Sequence, residues 1–561
     1  MITKTGIDYS TNSDLSPATF SGNIEQNGQV NQITIPNSPI GSRVYVKAYC
    51  IDEGVRIESE TKNYLFTEYF YIQNEYAGQN TIGMGTTGSY IGTHTLEYSK
   101  DKSTWTTFTM SRGTSTSVVL EEGEKLYFRS ESGIFNTFTN TSTTDAYTHF
   151  SASQNCSLGG NILTLVKYTD INTAKGWNNN FAKMFYNNTK IVSVGNIIPE
   201  GTTIGNYGCY QMFWGCSSLT TTPSLPSTQI GDYGYFGMFQ NCTSITTATT
   251  LPATQVGSNT YSNMFYGCTS LTTPPTLPAT TLTTMSYGNM FYNCTAITTA
   301  PALPATTLEG TSYYKMFSGC TSLSTPPTFP STVQRFFGGF EMFQGCTSLV
   351  NPPVFPSTIN GKAAYSGMFK NCTALTTPPV LTVGTDESYF NASECFYNCT
   401  SLRTAPALPL TTLVNDECYK LMFAGCTSLT TPPALPATTL TKDCYYQMFA
   451  SCTALTSAPA LPATTMQDWC YYGMFAACTH LTTSPDLPAT TLVKECYSSM
   501  FNGCTRLNSV TTYANDISAQ DCLTNWLNNV ASTGTFHKLG SASFPKNSGS
   551  GIPRNWTVVT T

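Results

Sequence analysis

Twelve cysteines at an almost constant spacing are the residues of this chain best suited to chemistry. Successive members lie 26 residues apart, with two steps of 27. Thiolates bind zinc or act as nucleophiles when a second Cys or a His stands close by, but the chain has no Cys-x-x-Cys pair and only four histidines. Most of the twelve follow a Met-Phe pair and precede Leu, so we interpret them as a buried column of reduced thiols packing as small apolar side chains. The column consists of Cys216, Cys242, Cys268, Cys294, Cys320, Cys346, Cys372, Cys399, Cys426, Cys452, Cys478 and Cys504.

A second, shorter cysteine column lies eight residues before the first in the late repeats. It consists of Cys418, Cys444, Cys470 and Cys496. One irregular repeat has Cys395 where the others have Met. Disulfides would be expected from so many cysteines in a small secreted protein, but cysteines at fixed repeat positions are better explained as core residues. We predict that they are reduced and structural.

Enzyme motifs are missing from the sequence. It contains no GxSxG elbow, P-loop, HExxH motif or dinucleotide-binding fingerprint. Glu121, Glu122 and Glu124 are close together, but they stand on a predicted turn, where a solvated loop explains them better than paired catalytic carboxylates. The histidines are scattered, at His94, His149, His480 and His537. We therefore predict no catalytic residue, no cofactor and no metal site, and a glycan-degrading enzyme is only the second alternative.

Two repeated features could bind a ligand. Threonines recur along the predicted strands as a ladder of hydroxyls that a polymer or glycan could contact, although Thr also favours strands for its own sake. Aromatic residues occupy variable positions of the repeat, and such rings can stack on sugars. The ligand-binding residues that we nominate are Tyr446, Tyr472, Tyr314 and Phe236.

Each repeat joins a segment rich in Thr and Pro to an aromatic segment. Thr and Pro favour a short extended strand followed by polyproline-like backbone. In residues 444–449 the apolar side chains fall at i, i+3 and i+4, which predicts a short helix with one inward face. Self-similarity at this period predicts a solenoid of about 12 repeats, mainly β with short helices. Its predicted core includes Cys426, Leu429, Leu435, Tyr445, Met448, Phe449, Cys452, Leu455, Met474, Phe475 and Cys478.

Composition excludes several classes of partner. Charged residues make up 10% of the chain and its net charge is −6. No block of Lys and Arg stands out, so we predict no nucleic-acid binding. The longest apolar runs are too short to cross a bilayer, so we predict no membrane insertion. The residues after Met1 do not read as a secretory signal, which favours assembly in the cytoplasm.

The segments before the repeats are predicted to be small β modules. Residues 1–66 contain an alternating strand but are short for a complete sandwich, so we expect an attachment domain that completes itself against a partner. Residues 67–150 alternate apolar and polar side chains around tight turns, which predicts an antiparallel β-domain. Residues 151–205 form a junction, where Phe181, Met184 and Phe185 mark a degenerate first repeat.

The segment after the repeats is predicted to cap them. The solenoid is assigned to residues 206–510 and the cap to residues 511–561. A helix is predicted from Ser518, with Asp521 as a capping-box partner, to a stop at Gly534. A closing strand is predicted around Trp556.

The repeats resemble the BspA-type, or treponemal-type, leucine-rich repeat. The shared marks are an aromatic residue before a helical turn, Cys or Asn after it, and Leu at the next two apolar positions. The wording Cys-Tyr-x-x-Met-Phe-x-x-Cys-Thr is similar to repeats in surface proteins of gut Bacteroidales and in proteins of their phages. This resemblance implies parallel strands stacked in one curved sheet, and residues 67–150 resemble the immunoglobulin-like module that precedes such repeats.

The resemblance implies a non-enzymatic structural or adhesive protein. We expect a bacteriophage virion component, like a head or tail fibre, attached to other virion proteins through residues 1–66. Its solenoid would contact host surface glycan or protein. The alternative is a bacterial cell-surface adhesin. A homo-oligomer would suit a fibre, although no heptad pattern supports one.

Overall fold

In the computed structural model, the chain divides into two compact units. The first comprises Met1–Met184, Lys190–Ile204 and Thr222–Ser227, and the second comprises the rest of the chain to Thr561. The described residues are 2–10, 20–23, 43–52, 55–58, 62–65, 68–87, 93–131, 147–167, 178, 181–330, 339–355, 364–383, 390–547 and 549–560.

The first unit begins with an antiparallel sheet of five strands. Strand β1 pairs with β2 and with β3, and β3 also pairs with β4 and β5. The alternating segment predicted as a strand around residues 43–52 is therefore present, as β3. The strands are β1 (Ile2–Ser10), β2 (Phe20–Asn23), β3 (Arg43–Asp52), β4 (Val55–Glu58) and β5 (Lys62–Leu65).

Two further sheets of the first unit pack face to face. Phe150 in one sheet contacts Phe70 and Phe128 in the other, at ring-centroid distances of 6.1 and 5.1 Å. All three rings are buried, so they form the centre of a β-sandwich. An immunoglobulin-like relationship stays a prediction. The strands are β6 (Phe70–Asn74), β7 (Asn80–Thr86), β8 (His94–Ser99), β9 (Thr106–Met110), β10 (Ser115–Leu120), β11 (Lys125–Arg129), β12 (Thr148–Ala152), β13 (Cys156–Gly159) and β14 (Ile191–Val194), in the orders β10-β7-β12 and β14-β13-β6-β11-β8-β9.

The second unit is a solenoid whose strands are very short. Strands β15 (Thr281–Leu282) and β16 (Thr307–Leu308) pair in parallel, and in several other coils a single Thr bridges to the equivalent Thr of the next coil, as Thr221 does to Thr247. The prolines that follow have no N–H to donate, so a longer ladder is not available. Among the described residues the one α-helix is α1 (Thr164–Lys167), in the first unit.

The predicted helix of each repeat is a run of turns, not an α-helix. In the segment before Cys268, the N–H groups of Ser262, Met264 and Tyr266 each donate to the carbonyl three residues earlier. The intervening N–H groups, such as that of Asn263, donate to a carbonyl of the next coil. Every fourth residue has positive φ, which an α-helix does not allow. We call these stretches, each ending at a column cysteine, the turn segments.

The inward face predicted for this segment is nevertheless present. The residues at i, i+3 and i+4, such as Tyr445, Met448 and Phe449, are completely buried, as are Cys426, Leu429, Cys452, Leu455, Met474, Phe475 and Cys478, with Leu435 at 4% exposure. The phenylalanines of this face stack without interruption from Phe185 to Phe501, at centroid distances of 5.3–5.8 Å. The interior is therefore a set of parallel columns, one residue per coil.

The C-terminal segment continues the solenoid instead of adding a helix. Asp521, Asn525 and Asn529 have positive φ, so the predicted helix from Ser518 is another turn segment. The Trp526 carbonyl accepts the N–H of Phe501, just as carbonyl groups of the next coil accept N–H groups in the preceding turn segments. The predicted closing strand is present, beginning one residue after Trp556. The parallel strands are β17 (Thr483–Leu487), β18 (Ser509–Thr512), β19 (Thr535–Lys538) and β20 (Thr557–Thr560).

Candidate interaction surface

The groups considered for catalysis make contacts that suit structural roles. Among the described residues no group of three or more His, Cys, Asp or Glu side chains could hold a metal ion. Burial lowers the pKa of His149, and His480 Nδ1 lies 2.6 Å from the Thr453 carbonyl oxygen. Glu124 pairs with Lys100 at 2.7 Å and accepts the N–H of Glu121, as expected of an exposed turn. No helix in the described part of the chain could cross a bilayer.

The first cysteine column supplies hydrogen-bond donors to the interior. Each of the twelve thiols donates to the carbonyl oxygen of a phenylalanine in the preceding coil, at 3.0–3.2 Å. Burial raises the thiol pKa, to about 12 at Cys268, Cys320 and Cys372. The protonated thiol is therefore the form that this fold uses. The sequence pattern predicted the burial of these thiols but not their role as hydrogen-bond donors. Asn188, which stands in the equivalent position, could have indicated that role.

The threonine ladder is also used within the fold. Thr272 Oγ1 donates to the Thr246 carbonyl at 3.1 Å, and Thr347 Oγ1 donates to the Thr321 carbonyl at 3.2 Å. Both bonds join a residue to the equivalent residue one coil earlier. Because these hydroxyls already donate to backbone oxygens, the ladder is better explained as a link between coils than as a ligand site.

The last positive-φ position of each turn segment forms a column in which Asn and Gly alternate from Asn187 to Gly319. Asn241 Oδ1 lies where a side-chain Cβ at Gly267 would stand, and Asn187 Oδ1 lies 2.9 Å from the equivalent point at Gly215. The same arrangement joins Asn293 to Gly319 and Asn398 to Gly425. At these four steps the Asn side chain fills the space that a side chain in the next coil would need. Asn371 is followed instead by Asn398, whose Nδ2 donates to Asn371 Oδ1 at 3.2 Å.

The nominated aromatic residues lie on the outer side of the turn segments, half-buried. We call the residue two before each Met the first outer column, and the residue two after it the second outer column. Phe236, Tyr314, Tyr446 and Tyr472 all belong to the first outer column.

Each of these four rings stacks on a ring of the adjacent coil. Tyr446 and Tyr472 stack on each other, with centroids 4.7 Å apart and planes within 2°. Phe236 stacks on Tyr210 at 5.0 Å, and Tyr314 on Phe340 at 5.5 Å. One face of each nominated ring is therefore covered by its partner, a contact that the sequence pattern did not predict.

The second outer column and its neighbours carry further aromatic pairs. Tyr266 stacks on Tyr292 at 4.7 Å, and Tyr186 on Trp214 at 4.5 Å. Tyr207 stacks on Tyr233 at 4.8 Å beside the Tyr210–Phe236 pair. All of these rings are half-buried, so aromatic surface is concentrated on the first coils.

The proline-rich segments of the coils carry a shallow groove. Its volume is about 460 Å³, and it lies between two adjacent coils. Its lining is Thr272–Pro278 with Thr298–Pro304 apart from Leu303. It holds no titratable side chain, so it adds no chemistry to the candidate surface.

The interior columns and the outer surface together define a mainly β solenoid of the leucine-rich-repeat class. This fold is typical of non-enzymatic interaction proteins. A family model described as the BspA type leucine rich repeat region matches the chain in six copies, over residues 203–350, 310–456, 392–521 and 422–549. These matches cover more than half of the chain, so it belongs to the BspA-type leucine-rich-repeat family, as the repeat wording predicted. No curated protein and no solved structure gave a significant match. The chain is thus a repeat-based protein of adhesive or structural type.

Proposed function

We propose that this protein is a bacteriophage virion component, like a head or tail fibre, whose solenoid contacts the host surface. The observation that carries the proposal is the division of labour within each coil. The interior columns hold the fold, whereas the outer columns change from coil to coil and present half-buried aromatic rings. A rigid scaffold with a variable face is the arrangement expected of a recognition arm.

The state of the cysteines supports assembly inside a host cell. Of the cysteines whose side chains the structure describes, twenty are unpaired and buried, and those of the first column act as protonated donors. Reduced thiols persist in the cytoplasm and are at risk of oxidation in compartments where disulfides form. A virion protein folds in the cytoplasm before it reaches the outside. A bacterial cell-surface adhesin, the alternative, would carry these thiols through export.

Mass spectrometry of purified particles from the source culture, compared with host membranes, tests this proposal. We expect the protein to be abundant in intact particles. Recovery only with host membranes would contradict the proposal and favour the bacterial adhesin. Release of sugars from host glycans by the purified protein would instead favour the glycan-degrading enzyme.

Attachment through residues 1–66 has its own test. Particles assembled with a chain that lacks these residues should contain none of it, while the purified truncated chain keeps a folded solenoid by circular dichroism. A truncated chain that still enters particles would show that another segment makes the attachment.

A further inference from the structure

Three aromatic pairs follow one another along six successive coils and alternate between the two outer columns. Tyr210–Phe236 lies in the first column, Tyr266–Tyr292 in the second and Tyr314–Phe340 in the first again. No coil in this stretch is skipped and none is used by two of the three pairs. We call these six rings the zigzag track.

Each pair of the zigzag track ends at a coil that has a serine in the same column. Ser262 follows Phe236, Ser318 follows Tyr292 and Ser366 follows Phe340. The ring planes within each pair differ by 3–10°, so the two facing ring surfaces cover each other. The serine of the next coil has no ring to stack on the last ring, and Ser262 and Ser318 are themselves buried. Successive members of these three serines are two coils apart. At the spacing of paired strands, two coils span about 10 Å, comparable with the length of a disaccharide.

The surroundings of the zigzag track are almost free of net charge. Among the described residues between 205 and 345 the charged side chains are Asp232, Glu309, Lys315 and Glu341. Lys315 lies over the third pair, with its Nζ 5.2 Å from the Tyr314 ring centroid and 5.9 Å from that of Phe340, but it pairs with Glu341 at 2.9 Å. Asp232 accepts the N–H of Ser258 at 2.7 Å.

Amide side chains stand on the same turn segments as the track. They are half-buried, and they are Gln211, Gln240, Asn263, Asn289 and Gln344. Aromatic faces with amide donors and acceptors, and with few charges nearby, match a ligand rich in hydroxyls and C–H groups.

We propose that the zigzag track binds a neutral polysaccharide that runs along the solenoid, with about one disaccharide per aromatic pair. This inference rests on the proposed contact with the host surface and names the ligand class and the site for it. The glycan contacts the exposed part of each aromatic pair, and the amides bond its hydroxyls.

Affinity electrophoresis of the purified full-length chain tests the proposal. Dextran, laminarin, mannan and galactan serve as neutral probes, and heparin as a charged control. We expect at least one neutral probe to retard the protein and heparin to have no effect. Tyr292→Ser should weaken that retardation roughly fivefold or more. Serine is tolerated in this column, because Ser318 occupies it in the next coil.

Tyr397→Ser is the matched control. It removes a half-buried ring from the second outer column, the column of Tyr292, but it lies outside the zigzag track. We expect its retardation to equal that of the wild type. Equal losses from both variants, or no retardation of the wild type by any neutral probe, would overturn the proposal.

Binding to host cells separates this inference from the function on which it rests. We expect periodate oxidation of surface sugars to abolish binding of the purified protein, and protease treatment of the cells to leave binding unchanged. Loss after protease alone would indicate a protein receptor and overturn the glycan assignment, while the proposed recognition function would stand. Failure to bind untreated host cells, with polysaccharide binding intact, would remove the proposed function instead.

Discussion

The early and late coils of the solenoid share one interior and differ on their outer side. Phe213 and Phe501 belong to the same stacked column and are equally buried. The described residues between 205 and 345 carry four charged side chains, whereas residues 391–521 carry fourteen. Because stability comes from the interior columns, the outer columns can differ between coils at little cost to the fold. The difference indicates two surfaces of distinct chemistry on one scaffold.

Alkaline pH should have the largest effect, because it acts on every coil at once. The pKa of the buried thiols is raised above the ordinary value of 9.0, to about 12 at Cys268, Cys320 and Cys372. The unfolded chain therefore loses thiol protons above about pH 9 while the folded chain keeps them. The contribution of each such thiol to the free energy of unfolding is fully present below that pH. It falls as the pH rises towards 12, by about 1 kcal/mol per pH unit.

Guanidinium unfolding in the presence of a reducing agent, at intervals from pH 7 to pH 10.5, measures this dependence. We expect the midpoint to be level up to about pH 8.5 and to fall beyond it. A midpoint that stays level to pH 10.5 would show that the interior thiols do not carry the stability assigned to them.

Removal of one ring from the interior should have the largest effect of any single substitution. Phe449 is completely buried and lies 5.6 Å from both Phe423 and Phe475. Phe449→Ala should cost about 3–5 kcal/mol, because it leaves a cavity between two coils. Gln447→Ala, on the outer side of the same coil, should be nearly neutral. Equal shifts of the denaturation midpoint would mean that the inward and outer sides are wrongly assigned.

Sequence periodicity predicted the inward side of each coil but not its backbone. Residues at i, i+3 and i+4 are buried in an α-helix and equally in a run of turns that repeats every four residues. The distinguishing signal was the residue type at every fourth position, for example Asn259, Asn263 and Gly267. Asn and Gly tolerate positive φ better than other residues. The same ambiguity explains the wrongly predicted helix from Ser518, where Asn525 and Asn529 carry that signal.

The candidate surface was predicted only in part. The nominated rings lie on the outer side, as expected from their variability. Their pairing depends on which residue stands 26 positions away, and comparison of Tyr266 with Tyr292 along one column could have shown it. The hydrogen-bond partners of the thiols and threonine hydroxyls are set by the distance between stacked coils. That distance cannot be read from composition.

An intermediate effect is expected where one coil packs on the next. Gly267 and Gly345 both have positive φ, of 71° and 73°. Gly345→Ala should cost about 1–2 kcal/mol from backbone strain alone, because the nearest atom to the new Cβ, Gly319 Cα, lies at 3.7 Å. Gly267→Ala should cost clearly more, because its Cβ would overlap Asn241 Oδ1.

The second substitution Asn241→Gly tests the cause of that difference. In the background of Gly267→Ala it should bring the loss of stability down to that of Gly345→Ala, as measured by thermal unfolding. No recovery in the double variant would show that the Asn–Gly alternation has another origin.

The smallest effect on stability is expected on the outer side. Tyr292→Ser removes one stacked ring that is half-buried, and should cost about 0.5–1.5 kcal/mol beyond the lost burial. Tyr472→Ser should cost the same amount, since both pairs have centroids 4.7 Å apart. Calorimetry of the two variants checks this equality. A much larger loss for Tyr292→Ser would mean that the early coils depend on their outer rings for folding.

The hydrogen bonds between coils have a consequence at the level of the gene. In most coils the N–H groups that bond to the next coil find their acceptor 25 residues further along the chain, as Asn263 does in Gly288 and Asn289 in Tyr314. An in-frame duplication or loss of one repeat of coding sequence therefore preserves every such bond. Recombination between repeats can lengthen, shorten or reshuffle the molecule in a single event. Because outer residues travel with their coil, each exchange also rearranges the outer surface without changing the fold.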